Sequence, residues 1–324
     1  MAIIDVFTHI LPPEYLAKLG QLAATGKVPS DRVEALRRSS PALLDINTRL
    51  KVMARFPDTM QVLTMVGPPL EALAGPDDAA ELAIIANDNL AELVARHPDK
   101  FVAVASLPMN NIAAALKEID RTIGKLKFKG VQIFTSINDK PLDSPEFLPL
   151  YEKMARLSLP IWIHPLREMS EPDYPGEPGS KYGLNAILGW PHATSLAIVR
   201  LSASGVMEKY PDLKVVTHHG AGTVPYLAGR IANSPFKYEK LSAPITESLK
   251  KFYNDTAVQG NVPNLMCDYG FCGAGHMLFG TDFPMATPEL VLETIRSVNA
   301  MSIPEIDKKK IFSENARKLL KLDS

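Results

Sequence analysis

Short apolar runs alternate with longer amphipathic segments along most of this chain. Eight of the runs read as buried strands, because they are almost continuously apolar, as parallel strands covered on both faces are. These runs are residues 2–7, 61–66, 101–106, 130–134, 160–164, 214–218, 252–256 and 276–281.

The segments between these runs show helical periodicity. In residues 78–97, apolar side chains recur every three or four positions until the pattern stops at His97, just before Pro98. Strand and helix repeated eight times predict an α/β fold, the (β/α)8 TIM barrel. A doubly wound open sheet is less favoured, because no glycine-rich phosphate loop follows the first run.

Two segments exceed the minimal repeat of a barrel. Residues 11–60 follow the first predicted strand and contain more than one helix-sized pattern, and residues 165–191 follow the fifth strand and are rich in Pro, Gly and Tyr. A barrel builds its active site at these strand ends, and long loops there are commonly functional. Without a linker or repeat, residues 1–324 predict a single domain with two active-site insertions.

Composition excludes several classes of protein. The 324 residues include 35 Lys plus Arg and 36 Asp plus Glu, for a net charge of −1, and 46% are hydrophobic. A disordered chain is less apolar, and a binder of nucleic acid or membrane surfaces usually carries a basic surplus, so we expect neither partner. No transmembrane helix or signal peptide is expected. With only two cysteines, the expected setting is the reducing cytoplasm.

Histidines stand at the ends of three predicted strands. His9 follows the first, His164 ends the fifth, and the pair His218 and His219 ends the sixth, while Asp282 follows the eighth. The ends of parallel strands converge on one mouth of a barrel, so these side chains can meet as nitrogen and oxygen ligands of a metal. One such histidine alone is more often a packed polar residue, but three with an aspartate favour a shared metal or acid–base site.

Short motifs follow one another through nearly the whole chain. They are IDVFTHILP at 4–12, PIWIHP at 160–165, GWP at 189–191, YPDLK at 210–214, HGAG at 219–222, GRI at 229–231, FYNDTA at 252–257, GTDFP at 280–284 and NARKLL at 315–320. Each is weak alone, but in this order and spacing the chain resembles the amidohydrolase superfamily. The resemblance is to the branch that contains aminocarboxymuconate-semialdehyde decarboxylase.

The resemblance implies roles for individual residues. His9, His164 and Asp282 match metal-ligand positions, and the implied ion is Zn or Mn. His219 matches the acid–base histidine of the sixth strand, and Asp282 would also bond the metal-bound water or shuttle a proton. Arg230 matches an arginine that clamps a substrate carboxylate. Relatives are often dimers, so we expect a homodimer that acts on a small carboxylate.

One position departs from the family pattern. The family usually has His-x-His on the first strand, and some decarboxylases have Glu-x-His, but here Phe7 takes the first place. Three protein ligands and a water still make a workable catalytic zinc site, so we expect a weakened metal affinity. Adjacent strand residues point to opposite faces, so we expect His218 to pack behind the barrel wall and not to share the task of His219.

Two further groups of side chains are candidates for substrate contact. Aromatic residues that could wall a planar substrate are Trp162, Trp190, Tyr174 and Tyr182, although core packing is the commoner fate of tryptophan. Arginines of the first insertion that could reach the mouth are Arg37, Arg38 and Arg49, with solvated surface charge as the default.

The favoured function is non-oxidative decarboxylation of a small aromatic or dienoic acid, with metal as Lewis acid and no organic cofactor. The alternative is a hydrolase of a lactone or amide, or a hydratase of an unsaturated acid, because the same site can activate water. A barrel that binds a ligand without turnover is a third hypothesis, which only Phe7 supports.

Overall fold

Eight strand positions close into a barrel in the computed structural model, which describes residues 2–235, 238 and 241–322. Strands β1 to β11 are, in chain order, Ile3–Ile10, Thr59–Met65, Phe101–Ala103, Ala105–Ser106, Val131–Phe134, Ser136–Ile137, Lys140–Pro141, Pro160–His164, Lys214–Thr217, Tyr253–Asp255 and Met277–Leu278. β3 and β4 together form the third barrel position, and β6 and β7 form a separate antiparallel hairpin.

All barrel pairings are parallel, in the order β1-β2-β3 and β4-β5-β8-β9-β10-β11. The Val104 N–H donates to the Leu63 carbonyl between β3 and β4, which keeps the third position on β2. Thr8 pairs in parallel with Phe283, which joins the last strand position back to β1. The predicted (β/α)8 barrel is therefore confirmed, with all eight predicted strands present.

Helices follow the strands along the chain. Helices α1 to α16 are Pro13–Ala24, Ser30–Arg37, Pro41–Leu44, Ile46–Met53, Leu70–Leu73, Pro76–Arg96, Ile112–Gly124, Leu148–Leu157, Trp190–Ala203, Val206–Lys209, Val224–Ala232, Ile245–Leu249, Val262–Cys272, Pro288–Ala300, Glu305–Lys309 and Asn315–Leu320. Short 3-10 helices span Pro145–Phe147 and Ala274–His276, and π-helices span Asn185–Gly189 and Lys310–Glu314. Within the described ranges, no helix is both long enough and apolar enough to cross a bilayer.

The strand side chains divide between two apolar cores. Trp162, Val216 and Leu278 belong to the core inside the barrel, whereas Ile161 and Ile163 belong to the core between strands and helices. Successive residues of a strand point to opposite faces, so every second residue enters the barrel. His164 and His218 lie on this inner face, each two residues beyond a member of the inner core, Trp162 and Val216 respectively.

The first insertion, which contains α1 to α4, is fixed to the barrel by a buried arginine. Arg49 donates to the Gln61 side-chain oxygen at 2.6 Å, to the Ala42 carbonyl at 3.3 Å and to the His9 carbonyl. Its guanidinium also lies 5.0 Å from the centre of the Phe283 ring. The default expectation of a solvated charge is wrong here, because Arg49 of α4 is fully buried.

The second insertion is mostly irregular loop, as its sequence predicts, and one carboxylate organises it. Asp173 accepts hydrogen bonds from the Ser180 hydroxyl at 2.8 Å, from the Lys181 backbone N–H at 2.8 Å and from Arg167 at 3.4 Å. The π-helix Asn185–Gly189 then leads directly into α9. Because three separate points of the loop bond to Asp173, the loop has a defined shape beside the barrel mouth.

Replacing Arg49 by Met is expected to destabilise the fold strongly. The change leaves three buried acceptors without a donor, and breaking such a buried network costs about 3 kcal/mol or more in unfolding free energy. Urea unfolding followed by circular dichroism measures it, and Arg38→Met, which changes an exposed arginine, is the matched control. Equal stability of the two variants would contradict the anchoring role of Arg49.

Candidate metal centre

Three histidines meet at the C-terminal end of the barrel. His9 lies on β1, His164 ends β8 and His218 follows β9. The ring centres are 5.0 Å apart for His9 and His164, 5.4 Å for His164 and His218, and 6.0 Å for His9 and His218. All three are buried, and one nitrogen of each lies within 4.8 Å of the others. This spacing allows one ion to contact all three rings.

The hydrogen bonds of His9 determine which of its nitrogens is free. The Thr64 hydroxyl donates its only hydrogen to the Thr8 carbonyl at 3.1 Å, so toward His9 Nδ1, at 2.9 Å, it acts as an acceptor. Nδ1 of His9 therefore carries the hydrogen. In the neutral ring, Nε2 then has a lone pair that points into the centre.

The other two rings have the same arrangement. Nδ1 of His164 lies 2.7 Å from the Pro165 carbonyl, which can only accept a hydrogen. Nδ1 of His218 contacts the Asp255 carboxylate, and the same carboxylate accepts the backbone N–H groups of Gly220 and Ala257. Metal-binding histidines commonly donate their second nitrogen to a carbonyl or carboxylate in this way, which fixes the ring.

Asp282 places a carboxylate against these nitrogens. Its Oδ1 lies 3.1 Å from His9 Nε2 and 3.4 Å from His218 Nε2, and neither buried nitrogen makes a hydrogen bond. Lone pairs that face a carboxylate in a dry site repel it unless a positive charge lies between them. The donor set, three imidazoles and one carboxylate, therefore fits a divalent transition metal.

The pKa shifts agree with this donor set. Burial lowers the pKa of His9 and, more strongly, that of His164, so both rings stay neutral. Burial alone would also lower the pKa of His218, but the carboxylates of Asp255 and Asp282 outweigh it and raise that pKa to about 9. Burial disfavours the charge of Asp282, yet its contacts with the histidines hold its pKa well below the usual value. Without a metal, a proton on His218 supplies the positive charge.

The expectation that His218 packs behind the wall is wrong. Val216 belongs to the inner core, so His218, two residues later, faces inward as well. His219 does not then point outward, because its φ of +56° ends the strand and begins a left-handed turn. Gly220, Ala221 and Gly222 continue that turn, with φ of +61°, +58° and +64°. Both histidines consequently face the same site.

His219 lies at the edge of the cluster, with 17% of its side chain exposed. Its ring stacks on His218 at 3.8 Å and faces Trp190 at 6.1 Å. Nε2 of His219 is 4.0 Å from Asp282 Oδ2, and its buried Nδ1 makes no hydrogen bond. His219 is thus close to the centre but on its outer side.

Phe7 lies inside the cluster. It is fully buried, stacks on the His218 ring at 3.8 Å and 13°, and lies 5.7 Å from the His9 ring. The pairing of β1 with β2 shifts register between Asp5 and Thr8, a bulge that changes the direction of the side chains of β1. Phe7 therefore lies beside the clustered histidines as an apolar wall.

A cavity of about 610 Å³ opens above the centre. His9, His164 and Asp282 lie at its base. The other lining residues come largely from the two insertions and include Asp31, Arg32, Leu36, Ser39, Phe134, Glu168, Met169, Ser170, Trp190 and Met285. The insertions thus form much of the wall of the cavity that leads to the histidines.

Only part of the expected aromatic wall is present. Trp190 lines the cavity, whereas Trp162 is fully buried in the barrel core, where its Nε1–H donates to the Val6 carbonyl at 2.9 Å. Tyr174 and Tyr182 are 72% and 88% exposed and do not line the cavity.

The arginine that lines the cavity is not one of those that the sequence singled out. Arg230 is exposed on α11 and does not line the cavity within this chain, so its contact with a substrate carboxylate stays a prediction. Arg38, just after α2, is also exposed and does not line the cavity. Arg32, on α2, does line it. Helical spacing could have indicated it, since the cavity-lining residues 32, 35 and 36 share one face of α2 and residue 39 follows just after the helix ends.

Comparison with known proteins identifies the family. The family model described as Amidohydrolase matches residues 4–322. The chain belongs to the amidohydrolase family. A 2-amino-3-carboxymuconate-6-semialdehyde decarboxylase of Dictyostelium discoideum is 30% identical to it over 343 residues, which cover 99% of this chain and 92% of the relative. The resemblance to this branch is therefore confirmed.

Two solved structures of the family are similar over almost their full length. The 2,6-dihydroxybenzoate decarboxylase from Rhizobium is 28% identical, with a TM-score of 0.84, and the match covers 100% of both chains. The dihydroxybenzoic acid decarboxylase from Polaromonas sp. JS666, with bound manganese and the inhibitor 2-nitroresorcinol, is 27% identical, with a TM-score of 0.81 and coverage of 100% and 98%. The histidine-rich centre of this chain offers a donor set that fits a divalent metal.

This amidohydrolase is expected to carry about one divalent metal per chain when it is purified without chelator. His164→Ala and Asp282→Asn each remove a donor and should lower the metal content several-fold, as measured by mass spectrometry of the elements after desalting. His192→Ala, which changes an exposed histidine outside the cavity, is the control. A wild-type protein that retains no metal after incubation with Mn or Zn would overturn the assignment.

Replacing Phe7 by His is expected to tighten metal binding by about tenfold or more, because it adds an imidazole donor beside the candidate ligands His9 and His218. Competition with a chromophoric chelator measures the affinity. Phe7→Leu keeps the position apolar and should not tighten binding. Equal affinities for Phe7→His and Phe7→Leu would argue against a ligand position there.

Proposed function

We propose that this protein is a metal-dependent, non-oxidative decarboxylase of a small aromatic or dienoic carboxylic acid. The observation that carries the proposal is the buried centre of three imidazoles and one carboxylate at the base of a cavity of about 610 Å³. Its support is the full-length similarity to the three relatives described above, which are named as decarboxylases of a muconate semialdehyde and of dihydroxybenzoates.

The metal would be held by Nε2 of His9 and His164 and by the carboxylate of Asp282, with His218 as a fourth donor in the place of the missing ligand at Phe7. Such mixed nitrogen and oxygen ligation suits either Zn or Mn, and the manganese of the Polaromonas relative favours Mn. A divalent ion bound there supplies the Lewis-acid charge that attracts the substrate's carboxylate or a neighbouring oxygen.

The cavity walls suit a planar acid. Trp190 and Phe134 offer aromatic faces, and Phe7 closes the inner side of the cluster without adding a polar group. Apolar walls exclude water around the reacting carbon, which favours transfer of a proton to that carbon over attack by water. Thr64, the Pro165 carbonyl and Asp255 hold the three rings in their orientation throughout.

In the proposed reaction, the carbon that bears the carboxylate accepts a proton, and the bond to the carboxylate then breaks. The electron pair of that bond stays with the carbon, and CO₂ leaves, so no oxidant or reductant is consumed. His219 delivers the proton, with Asp282 as its carboxylate partner at 4.0 Å. Burial and the neighbouring His218 lower the pKa of His219, which makes its protonated form a readier donor.

Finer points of the proposal concern the whole molecule. The barrel and its insertions share one apolar core, which supports a single domain over residues 1–324. Large apolar side chains that are exposed commonly mark interfaces, and we infer a homodimer from those of Ile187, Leu188, Leu196 and Tyr226.

The two unpaired cysteines support a reducing cytoplasm as the location. The net charge of −1 supports a small acid as the partner, in preference to nucleic acid or a membrane.

The test is release of CO₂ by the manganese-loaded enzyme from a panel of hydroxybenzoic and dienoic acids. His219→Asn is expected to lower kcat by about 100-fold or more, since it removes the proton donor, while the metal content is unchanged. Asn tolerates the left-handed backbone at this position, so the variant adds little strain. His192→Asn is the control.

If the enzyme opens lactones and releases no CO₂, the decarboxylase function is wrong and the hydrolase function takes its place. If the His219→Asn variant keeps the wild-type kcat, His219 is not the proton donor, and that role passes to Asp282.

A further inference from the structure

A second, much smaller cavity lies beside the cavity that leads to the metal centre. Its volume is about 20 Å³, which is room for about one water-sized particle. Val66, Pro68 and Phe134 line both cavities, so these three residues form a shared wall. On the other cavity's side, the Phe134 ring lies 5.3 Å from the His164 ring. The small cavity is therefore separate from the histidine centre but borders the approach to it.

Three side chains that line the small cavity have oxygens without a hydrogen-bond partner. Gln132 of β5 donates through Nε2 to the Met65 carbonyl at 2.9 Å, which leaves its buried Oε1 without a hydrogen bond. Oε1 of Glu71, on α5, is also buried and without a hydrogen bond. The Tyr15 hydroxyl, on α1, makes none within the part of the chain that the structure describes. All three side chains belong to residues that are more than nine-tenths buried.

The carboxyl group of Glu71 has no cationic side chain beside it. Among the described residues that line the small cavity, none is a lysine, an arginine or a histidine. Burial raises the pKa of Glu71 to about 7, although its own backbone N–H and that of Met109 oppose this effect. A buried carboxylate without a counter-charge is costly, so Glu71 either holds a proton or binds a cation.

The donor set and the volume determine which cation fits. Carboxylate and amide oxygens are the ligands of hard cations, and no nitrogen or sulfur donor lines the small cavity. Ca²⁺ takes about six to eight oxygens and Mg²⁺ keeps several waters, for which this cavity has no room. One carboxylate balances one positive charge. A water molecule can donate to both free oxygens, but it leaves the charge of the carboxylate uncompensated.

We propose that Glu71, Gln132 and Tyr15 bind a monovalent alkali cation, Na⁺ or K⁺, in the small cavity. The site is additional to the histidine centre, and the inference does not depend on the decarboxylase reaction. The cation links α1 of the first insertion and α5 to the barrel strand β5. It thereby stabilises the wall that the two cavities share.

Thermal unfolding of the manganese-loaded protein tests the proposal without turnover. The Tm is compared in NaCl, KCl and choline chloride at equal ionic strength and about pH 8, since choline is too large to enter the cavity. Na⁺ or K⁺ is expected to raise the Tm by about 2 °C or more in a saturable way, and the ion with the larger effect is the ligand. Equal Tm values in the three salts would mean that a water molecule or a proton fills the site, and would overturn the proposal.

Three variants locate the effect. Glu71→Gln keeps the shape of the side chain and removes its charge, so it should lose the cation-specific shift while its Tm in choline chloride equals or exceeds that of the wild type. Tyr15→Phe removes one oxygen and should reduce the shift. Glu92→Gln, which changes an exposed glutamate of α6, is the control and should keep the full shift. A full shift in Glu71→Gln contradicts the proposal.

The pH dependence provides an independent check. Below its pKa of about 7, Glu71 holds a proton in the place of the cation, and above it the folded protein in choline chloride loses stability because the buried charge is uncompensated. The cation-specific shift should therefore be larger at about pH 8 than at about pH 6. Burial raises the pKa of Tyr15, the only other titratable residue that lines the small cavity among those described, so its hydroxyl stays neutral at both values. Equal shifts at the two pH values would show that Glu71 is not the ligand.

Discussion

Three imidazole nitrogens and one carboxylate share a buried space at the end of this barrel, and their electrostatics constrain much of what surrounds them. His9, His164 and His218 each donate Nδ1–H outward, so Nε2 of each ring points into the centre, and those of His9 and His218 face Asp282. Such a group is stable in a dry site only with added positive charge. A metal ion or a proton on His218 meets this requirement, and both would occupy the His218 nitrogen that faces Asp282.

Residues around the three histidines hold them in place, although gathering their nitrogens beside a carboxylate in a buried site is unfavourable. Asp255 holds His218 and, through Gly220, the start of the left-handed turn. Its side chain approaches Gly280 so closely that a Cβ there would lie 2.8 Å from the Asp255 Cβ, which explains the glycine. Arg49 binds the His9 carbonyl from the opposite side and couples the first insertion to the metal centre. Asp255 and Arg49, which are far apart in the sequence, thus hold His218 and His9 respectively.

The fold could be predicted because buried parallel strands have a simple signature, and all eight strands lie at or near their predicted positions. His9, His164 and Asp282 were likewise predictable, since strand ends must converge. The inward direction of His218 was not, because the face of a strand residue depends on its pairing partners and on the φ of His219, which alternation alone does not give. Arg32 was missed because its position depends on how α2 packs against the mouth, and Arg49 because burial of a guanidinium is decided by tertiary contacts.

The stacked rings of His219 have a consequence for conformational entropy. His219 lies against the His218 ring at 3.8 Å, and Trp190 faces it on the cavity side. A histidine on an open loop must lose rotational freedom each time it delivers a proton in a defined direction. Here that freedom is lost once, when the chain folds, because His218 is itself fixed by Asp255. On the proposed mechanism, the fold sets the orientation of the His219 ring, which is therefore already in place before each substrate molecule binds.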